Sequence, residues 1–210
     1  MGDNSPYFES GAKITYTSNN SKWVFCGLAL NGWQRITRVS GNSLMSFGTQ
    51  VQYIPSNNLL INYSTFIGTD KPDSNRLMRY YNNLYAIITA GKFGLLPSCD
   101  IGMEQKAKRS GSLNVLMAPV LTLRYTINDK WKIAVRGEYY ADPHQIIIST
   151  STPNGFKTAG YTLNVDYAPI PSALIRIEWR ALKSKDAIFI KNNITTAGDQ
   201  FVTGSLAISF

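Results

Sequence analysis

Residues 113–140, LNVLMAPVLTLRYTINDKWKIAVRGEYY, decide the class of fold. Odd positions from Leu113 onward are apolar: Leu113, Val115, Met117, Pro119, Leu121, Leu123 and Tyr125. Past Asn128-Asp129-Lys130 they resume as Trp131, Ile133, Val135, Gly137 and Tyr139, while Arg124, Lys132, Arg136 and Glu138 keep to even positions. A period of two with charge on one face only is that of a strand with one side in an apolar medium and the other in a polar one. The polar break at 128–130 reads as a tight turn, which makes the two strands antiparallel neighbours.

The same rule extends outward in both directions. Tyr161, Leu163, Val165 and Tyr167 oppose Thr162, Asn164 and Asp166; Ile175, Ile177 and Trp179 oppose Arg176, Glu178 and Arg180. Val202, Leu206, Ile208 and Phe210 oppose Thr203, Ser205 and Ser209. Upstream, Ile14 and Tyr16 alternate with Lys13 and Thr15, and Phe47, Val51 and Tyr53 with Gly48, Gln50 and Gln52. Tyr80, Leu84 and Ile88 alternate with Arg79 and Asn83, and Phe93, Cys99, Ile101 and Met103 with Asp100, Glu104 and Lys106. Only Trp23–Leu30 is apolar on both faces, which leaves its facing open. The pattern predicts about eleven strands of about ten residues, the length a tilted strand needs to cross a bilayer.

Connections alternate in length. Short turns fall near 18–22, 55–58, 89–92, 127–130 and 168–173, and longer polar loops near 34–43, 68–75, 106–112, 142–157 and 183–199. Short turns on one side and long loops on the other are the layout of an outer-membrane barrel. Aromatic residues flank the short turns: Tyr16, Trp23, Tyr53, Phe93, Tyr125, Trp131, Tyr167 and the terminal Phe210. In a barrel these form the girdle at the periplasmic interface, where amphipathic rings settle.

Composition agrees. Of 210 residues, 16% are charged and 12% aromatic, yet mean hydropathy is −0.13, as strict alternation requires. There is no run of about 18 apolar residues to make a transmembrane helix. The net charge of +8 is spread along the chain apart from Lys106, Lys108 and Arg109, and Lys183 with Lys185. Without a basic helix or an RNA-binding motif, nucleic acid is not an expected partner. The start, Met1-Gly2-Asp3-Asn4-Ser5-Pro6, carries neither a basic nor an apolar signal region.

The fold class expected is therefore all-β, an antiparallel up-and-down transmembrane β-barrel. Pro97 and Pro119 fall inside strands, where a missing N–H implies bulges or local breaks. The odd strand count places the start of the 7–17 strand on the side opposite Phe210, whereas single-chain bacterial barrels have even counts. Residues 1–210 are thus expected to be a single domain, the C-terminal portion of a longer barrel, with at least one strand and a signal peptide upstream of Met1.

Several stretches resemble the OmpL-like beta-barrel porins of Bacteroidetes-type outer membranes: SKWVFCGLALNGWQRI (21–36), IGTDKPDS (67–74), RYYNNLYAIITAGKFGLLPSCDIGMEQ (79–105), RGEYYADPHQIIISTSTPNGFKTAGYTLNVDYAP (136–169) and IRIEWRALKSKDAIF (175–189). The resemblance runs over nearly the whole chain and over the later part of the family's length. It implies a Gram-negative outer-membrane barrel with a pore role, embedded in outer-membrane lipid, and it carries over no catalytic residue. Phe210, with Leu206 and Ile208 alternating before it, also resembles the signal read by outer-membrane assembly machinery, although Ser205 stands where that signal often has Gly.

No residue set calls for a cofactor, metal or catalytic role. His144 is the single histidine and sits in a loop, so it reads as solvated. Cys26 and Cys99 fall on strands about four apart, beyond the roughly 7 Å that a disulfide spans, and read as small lipid-facing or core hydrophobes. Carboxylates are interleaved with arginines, as a polar lumen requires, and not paired across a cleft, so an enzyme such as a barrel lipase is not expected.

The residues placed toward the interior are Lys13, Arg79, Asp100, Glu104, Arg124, Lys132, Arg136, Glu138, Asp166, Arg176, Glu178 and Arg180. Seven are basic and five acidic, which predicts passive diffusion of small hydrophilic solutes with a weak anion preference. Three alternatives stand beside this. The charges form a plug of salt bridges in a non-conducting barrel with a structural, adhesion or assembly role; the barrel works as a homo-oligomer; or it is a soluble barrel with a dry interior that binds an apolar ligand. The apolar runs Ile146–Ile148 and Ala187–Ile190 either pack into the mouth or extend the strands above the membrane, and extension is the reading adopted.

Overall fold

Alternation becomes register. The computed structural model describes residues 8–209, and over these eleven strands pair in one antiparallel sheet. They are β1 (Gly11–Thr17), β2 (Trp23–Leu30), β3 (Ser46–Ser56), β4 (Leu59–Gly68), β5 (Arg79–Ala90), β6 (Phe93–Gln105), β7 (Leu113–Thr126), β8 (Trp131–Asp142), β9 (Phe156–Ile170) and β10 (Ala173–Ser184), closed by β13 (Gly198–Ile208). Two short strands, β11 (Phe189–Lys191) and β12 (Ile194–Thr196), form a separate hairpin in the loop between β10 and β13. Neighbours in sequence are neighbours in the sheet, and β1 and β13 do not pair with each other among the described residues. Phe210, expected in the aromatic girdle and in the assembly signal, lies outside the described residues.

Residues opposite one another in an antiparallel pair share a face, so the register carries sidedness from strand to strand. The β1–β2 and β2–β3 registers settle Trp23–Leu30. Val24, Cys26, Leu28 and Leu30 share the face of Lys13 and Gln50, and Trp23 and Phe25 take the other. The convex face is mainly apolar and open to its surroundings, with Leu84, Leu121 and Ile177 each more than half exposed; Thr49, Thr65 and Asn82 form one polar row on it across β3–β5. Among the described residues the buried apolar core is small, with Leu30, Trp33, Phe66, Tyr81, Leu116, Ala118 and Tyr140 forming one cluster near the long-loop end. An outward apolar belt around a polar concave face is the reverse of a soluble β-barrel and sets the apolar-ligand alternative aside. No described helix is long and apolar enough to cross a membrane.

The prolines break the ladder without shifting it. Pairing lapses between Tyr85↔Ser98 and Ile88↔Leu95 beside Pro97, and between Met117↔Ala141 and Val120↔Glu138 beside Pro119, yet the register on either side is the same. Irregularities occur instead between Tyr53 and Ser56, around Pro55, and between Ala173 and Ile175, both beside short turns. In the β11–β12 hairpin, Asn192 and Asn193 both adopt positive φ, the requirement of a two-residue type I′ turn.

Both cysteines are free. Cys26 lies buried on the concave face and Cys99 on the convex apolar one, one a core and the other a lipid-side position. In liposomes, a charged thiol reagent should label Cys26 slowly and spare Cys99, and a lipid-soluble maleimide should label Cys99. Mass spectrometry reads this out, and the opposite pattern would invert the assignment of faces.

Candidate functional site: the concave face and the loop folded onto it

The registers place all twelve charged residues selected above on a single face. Arg79 stands opposite Glu104, Asn83 opposite Asp100, Arg136 opposite Thr162, Lys132 opposite Asp166, and Arg176 opposite Asp166. Their contacts divide them. At the long-loop rim Arg79 donates to Glu104 from Nε (3.1 Å) and Nη2 (2.7 Å) and reaches Asp70 at 3.4 Å. Glu138, with its side chain buried, sits between Arg136 and Arg180, the latter at 2.5 Å. Nearer the short turns Arg176 grips Asp166 through both Nε and Nη2, at 2.7 and 2.8 Å. Asp100 accepts from Asn83 at 2.6 Å. Lys13, Arg124, Lys132 and Glu178 make no ion pair within 4 Å among the described residues.

The physical reason for this division is desolvation. A charge removed from water is tolerable only when paired and hydrogen-bonded. Glu138, whose side chain is fully covered, holds two guanidinium groups, whereas the exposed Lys13, Arg124 and Lys132 need none.

Loop 143–155 departs from the sequence-based reading. Ile146, Ile147 and Ile148 do not extend the strands; they pack onto the buried cluster that includes Trp33, Tyr81, Leu116 and Tyr140. The cause is Asp142, which is fully buried at the end of β8. Its Oδ1 accepts from the Ile146 amide (2.8 Å), and its Oδ2 from those of Ile147 (2.8 Å) and Ile148 (3.1 Å). Gln145, at positive φ, accepts from the amides of Thr150 and Ser151. Gly155 closes the turn at φ +62°, where a Cβ would stand 2.5 Å from the Asp142 carbonyl oxygen, so no larger residue fits. The Asp142-Pro143 pair was the available signal, since Asp before Pro starts turns. The second apolar run does build upward, as hairpin β11–β12. His144 is exposed, and no described group of three acidic, His or Cys side chains could hold a metal.

The other loops are tied to this rim. Trp33 donates its amide to Asp70 (3.0 Å), lies under Arg79 (5.6 Å to the ring centroid), and packs edge-on against Phe66 and Tyr81. Asn42 donates to the Thr69 carbonyl at 2.9 Å. Asp73 accepts from the Ser43 amide and pairs with Arg76. Asn154 donates twice to Asp186, at 2.9 and 2.7 Å. At the opposite end, ring pairs link adjacent strands: Trp23–Tyr53 at 4.3 Å, Trp131–Tyr167 at 4.4 Å, Phe93–Tyr125 at 4.9 Å and Tyr16–Phe25 at 6.4 Å. A cavity of about 610 Å³ opens on the concave side of β1–β6.

The family described as "Putative beta-barrel porin-2, OmpL-like" matches residues 1–210. Similar solved structures include an anion-selective porin from Comamonas acidovorans, at TM-score 0.66 and 15% identity, with 100% of this chain and 61% of the porin covered. The outer membrane channel DcaP of Acinetobacter baumannii follows at TM-score 0.63 and 10% identity, covering 92% of this chain and 59% of DcaP. OmpT, an outer membrane protein of Vibrio cholerae, gives TM-score 0.62 and 11% identity over 93% of this chain and 62% of its own. At such identities the likeness is one of fold. The chain spans about six tenths of the length of these structures. No curated protein matches it.

Replacing Asp142 with Ala removes three charge-assisted hydrogen bonds, accepted by its two oxygens, each contributing about 1.5–3 kcal/mol. Hydrogen exchange at Ile146–Ile148 should accelerate by orders of magnitude while β9 amides stay protected; unchanged exchange would show that apolar packing alone seats the loop. A second outcome concerns pH. Hydrogen bonds from the Ser43 side chain and backbone, with Arg76 beside them, hold the Asp73 carboxyl down at about 2. A depressed carboxylate stabilises above its unfolded value, about 3.9, and loses that contribution as pH falls through 2. Exchange at the Ser43 amide should therefore be pH-corrected flat from pH 8 to 4 and rise between pH 4 and 2.

Proposed function

This chain belongs to the OmpL-like beta-barrel porin-2 family of outer-membrane channel proteins, and on that premise we propose that it forms the larger part of a water-filled pore for small hydrophilic solutes, weakly preferring anions. The observation that carries this reading is the sorting of charge by face. Twelve ionisable side chains share the concave side of a sheet whose convex side is mainly apolar, its lysines Lys157 and Lys183 lying toward the long-loop ends of their strands. Charged groups on that side are supported by water or by each other, which a lumen provides and a packed interior does not.

The sign follows from the balance. Seven basic and five acidic groups leave +2, and of the five that lack an ion pair among the described residues three are the cations Lys13, Arg124 and Lys132, against Asp100 and Glu178. The Comamonas porin is described as anion-selective, which fits the same sign. The aromatic pairs beside the short turns supply the periplasmic girdle. The β1 and β13 edges pair with further strands of the same protein, since an open edge in hydrocarbon leaves a row of backbone groups unsatisfied. Assembly as a homo-oligomer belongs to the same reading; OmpT of Vibrio cholerae has been solved in a trimer form.

One second reading has its own support. The Arg136–Glu138–Arg180 cluster and the inward loop 143–155 both fill space on the concave side, as a closed barrel with a structural or adhesive role requires. Planar-bilayer recording in a tenfold KCl gradient separates the two. An open pore gives steady conductance with a reversal potential on the chloride side, and Arg124→Glu with Lys132→Glu, a change of −4 at the short-turn end, moves it to the potassium side. Arg136→Ala with Arg176→Ala alters unitary conductance in an open pore; in a closed barrel it lowers thermal stability and no current appears. A potassium-side reversal in the wild type would overturn the anion preference.

A further inference from the structure

The concave face has two walls of different chemistry. From β7 to β10 it carries Arg124, Lys132, Arg136, Glu138, Asp166, Arg176, Glu178 and Arg180, whereas from β2 to β6, below the rim pair Arg79–Glu104, Asp100 is the single charged residue. In its place the register builds a lattice of amides and hydroxyls. Gln50 stands opposite Ser64, Ser64 opposite Asn83, and Asn83 opposite Asp100, one straight row across four strands. The row beneath is Gln52, Asn62, Tyr85 and Ser98. At the usual strand spacing such a row is about 14 Å long, and the two rows are about 7 Å apart.

Bonds within the wall hold these groups in place. Gln50 donates to Asn62 (2.8 Å), Asn62 to Ser64 (2.9 Å), and Asn83 to Asp100 (2.6 Å). Each bond uses one end of an amide and fixes its side chain, so the Gln50 and Asn83 carbonyls are oriented to accept from something else. The row above is apolar, with Phe66 opposite Tyr81. The 610 Å³ cavity is lined by both kinds of surface, with Gln50, Ser64, Asn83, Tyr85 and Asp100 beside Phe66 and Tyr81. That volume lies within the range of small-ligand sites, about 300–1,000 Å³.

A dense array of neutral donors and acceptors bordered by aromatic carbon matches a molecule with many hydroxyls and apolar C–H edges. We propose that this wall is a subsite for a neutral polyhydroxylated solute, a sugar, while the β7–β10 wall handles ions. The subsite rests on the pore reading above, and it adds a solute class which that reading leaves open. Fixed acceptors discriminate because a solute lacking the matching hydroxyl leaves them desolvated without a partner.

Maltose is the probe, applied to the full chain in planar bilayers carrying KCl current. Maltose should reduce the current in a saturable way, and Asn83→Leu should raise the half-blocking concentration at least tenfold, as should Gln50→Leu. Polyethylene glycol of equal hydrodynamic size has ether acceptors and almost no donors; it should give only the linear, non-saturable decrease of volume exclusion. Equal effects of the two probes, or a maltose effect indifferent to Asn83 and Gln50, would overturn the subsite. Trp33 lines the same cavity, so its fluorescence in detergent gives a readout that needs no current. With no conductance in sugar-free KCl the pore reading fails, and the maltose-induced fluorescence change, absent in Trp33→Phe, then decides the subsite by itself. Folding of each variant is checked by heat-modifiable electrophoretic mobility.

Discussion

Antiparallel pairing in an unslipped register is the constraint on which the rest of this structure depends. In hydrocarbon a backbone amide or carbonyl without a partner is prohibitively unfavourable, so strands must pair along their whole length. Pairing then forces opposite residues onto one face, and a slip of one residue would turn a whole strand's charges into lipid. This explains why Pro97 and Pro119, each lacking a donor, interrupt the ladder without displacing it. The register is held by the many flanking pairs, and irregularities are confined to the neighbourhood of the short turns, where the chain meets water and an unpaired group is solvated.

Because the register is continuous, chemistry scattered through the sequence becomes organised across the sheet. Lys132, Asp166 and Arg176 are far apart in the chain and stand in one line across β8, β9 and β10. Gln50 and Asp100 are four strands' worth of sequence apart and occupy one row. The two walls differ because pairing is selective. Where charges are many, as on β8–β10, the covered carboxylate of Glu138 takes two arginines and leaves a net positive cluster. Where charges are few, amides bond to each other and leave Asp100 the one charge on the wall below the rim.

Most of the fold was legible from alternation, as were the faces of the twelve charged residues, because a period of two states sidedness directly. Three things were not legible. Trp23–Leu30 is apolar on both faces, and only pairing with Gln50 and Gln52 on β3 assigns its sides. The concave facing of Cys26 is hidden for the same reason. The loop at 143–155 escaped because its fold depends on one carboxylate meeting three backbone amides, and a backbone amide leaves no trace in side-chain pattern. Three consecutive isoleucines look like strand; Asp142, beneath them, makes them a cap.

That cap also orders the rim. Burying the Asp142 carboxylate is unfavourable unless its oxygens are satisfied, and the three isoleucine amides satisfy them while their side chains pack against the buried cluster that includes Tyr140 and Leu116. The apolar contact excludes water from the carboxylate, and the carboxylate fixes the backbone that makes the contact, so neither persists without the other. Arg79 extends this coupling, since its guanidinium lies over Trp33, pairs with Glu104 and Asp70, and reaches the Ile146 carbonyl at 3.5 Å. Loops from three different hairpins therefore converge on one arginine at the mouth of the concave face. The mouth of the concave face is thus a rim held by one buried acid and one arginine, and beyond it lie the charged wall of β7–β10 and the amide-rich wall of β2–β6.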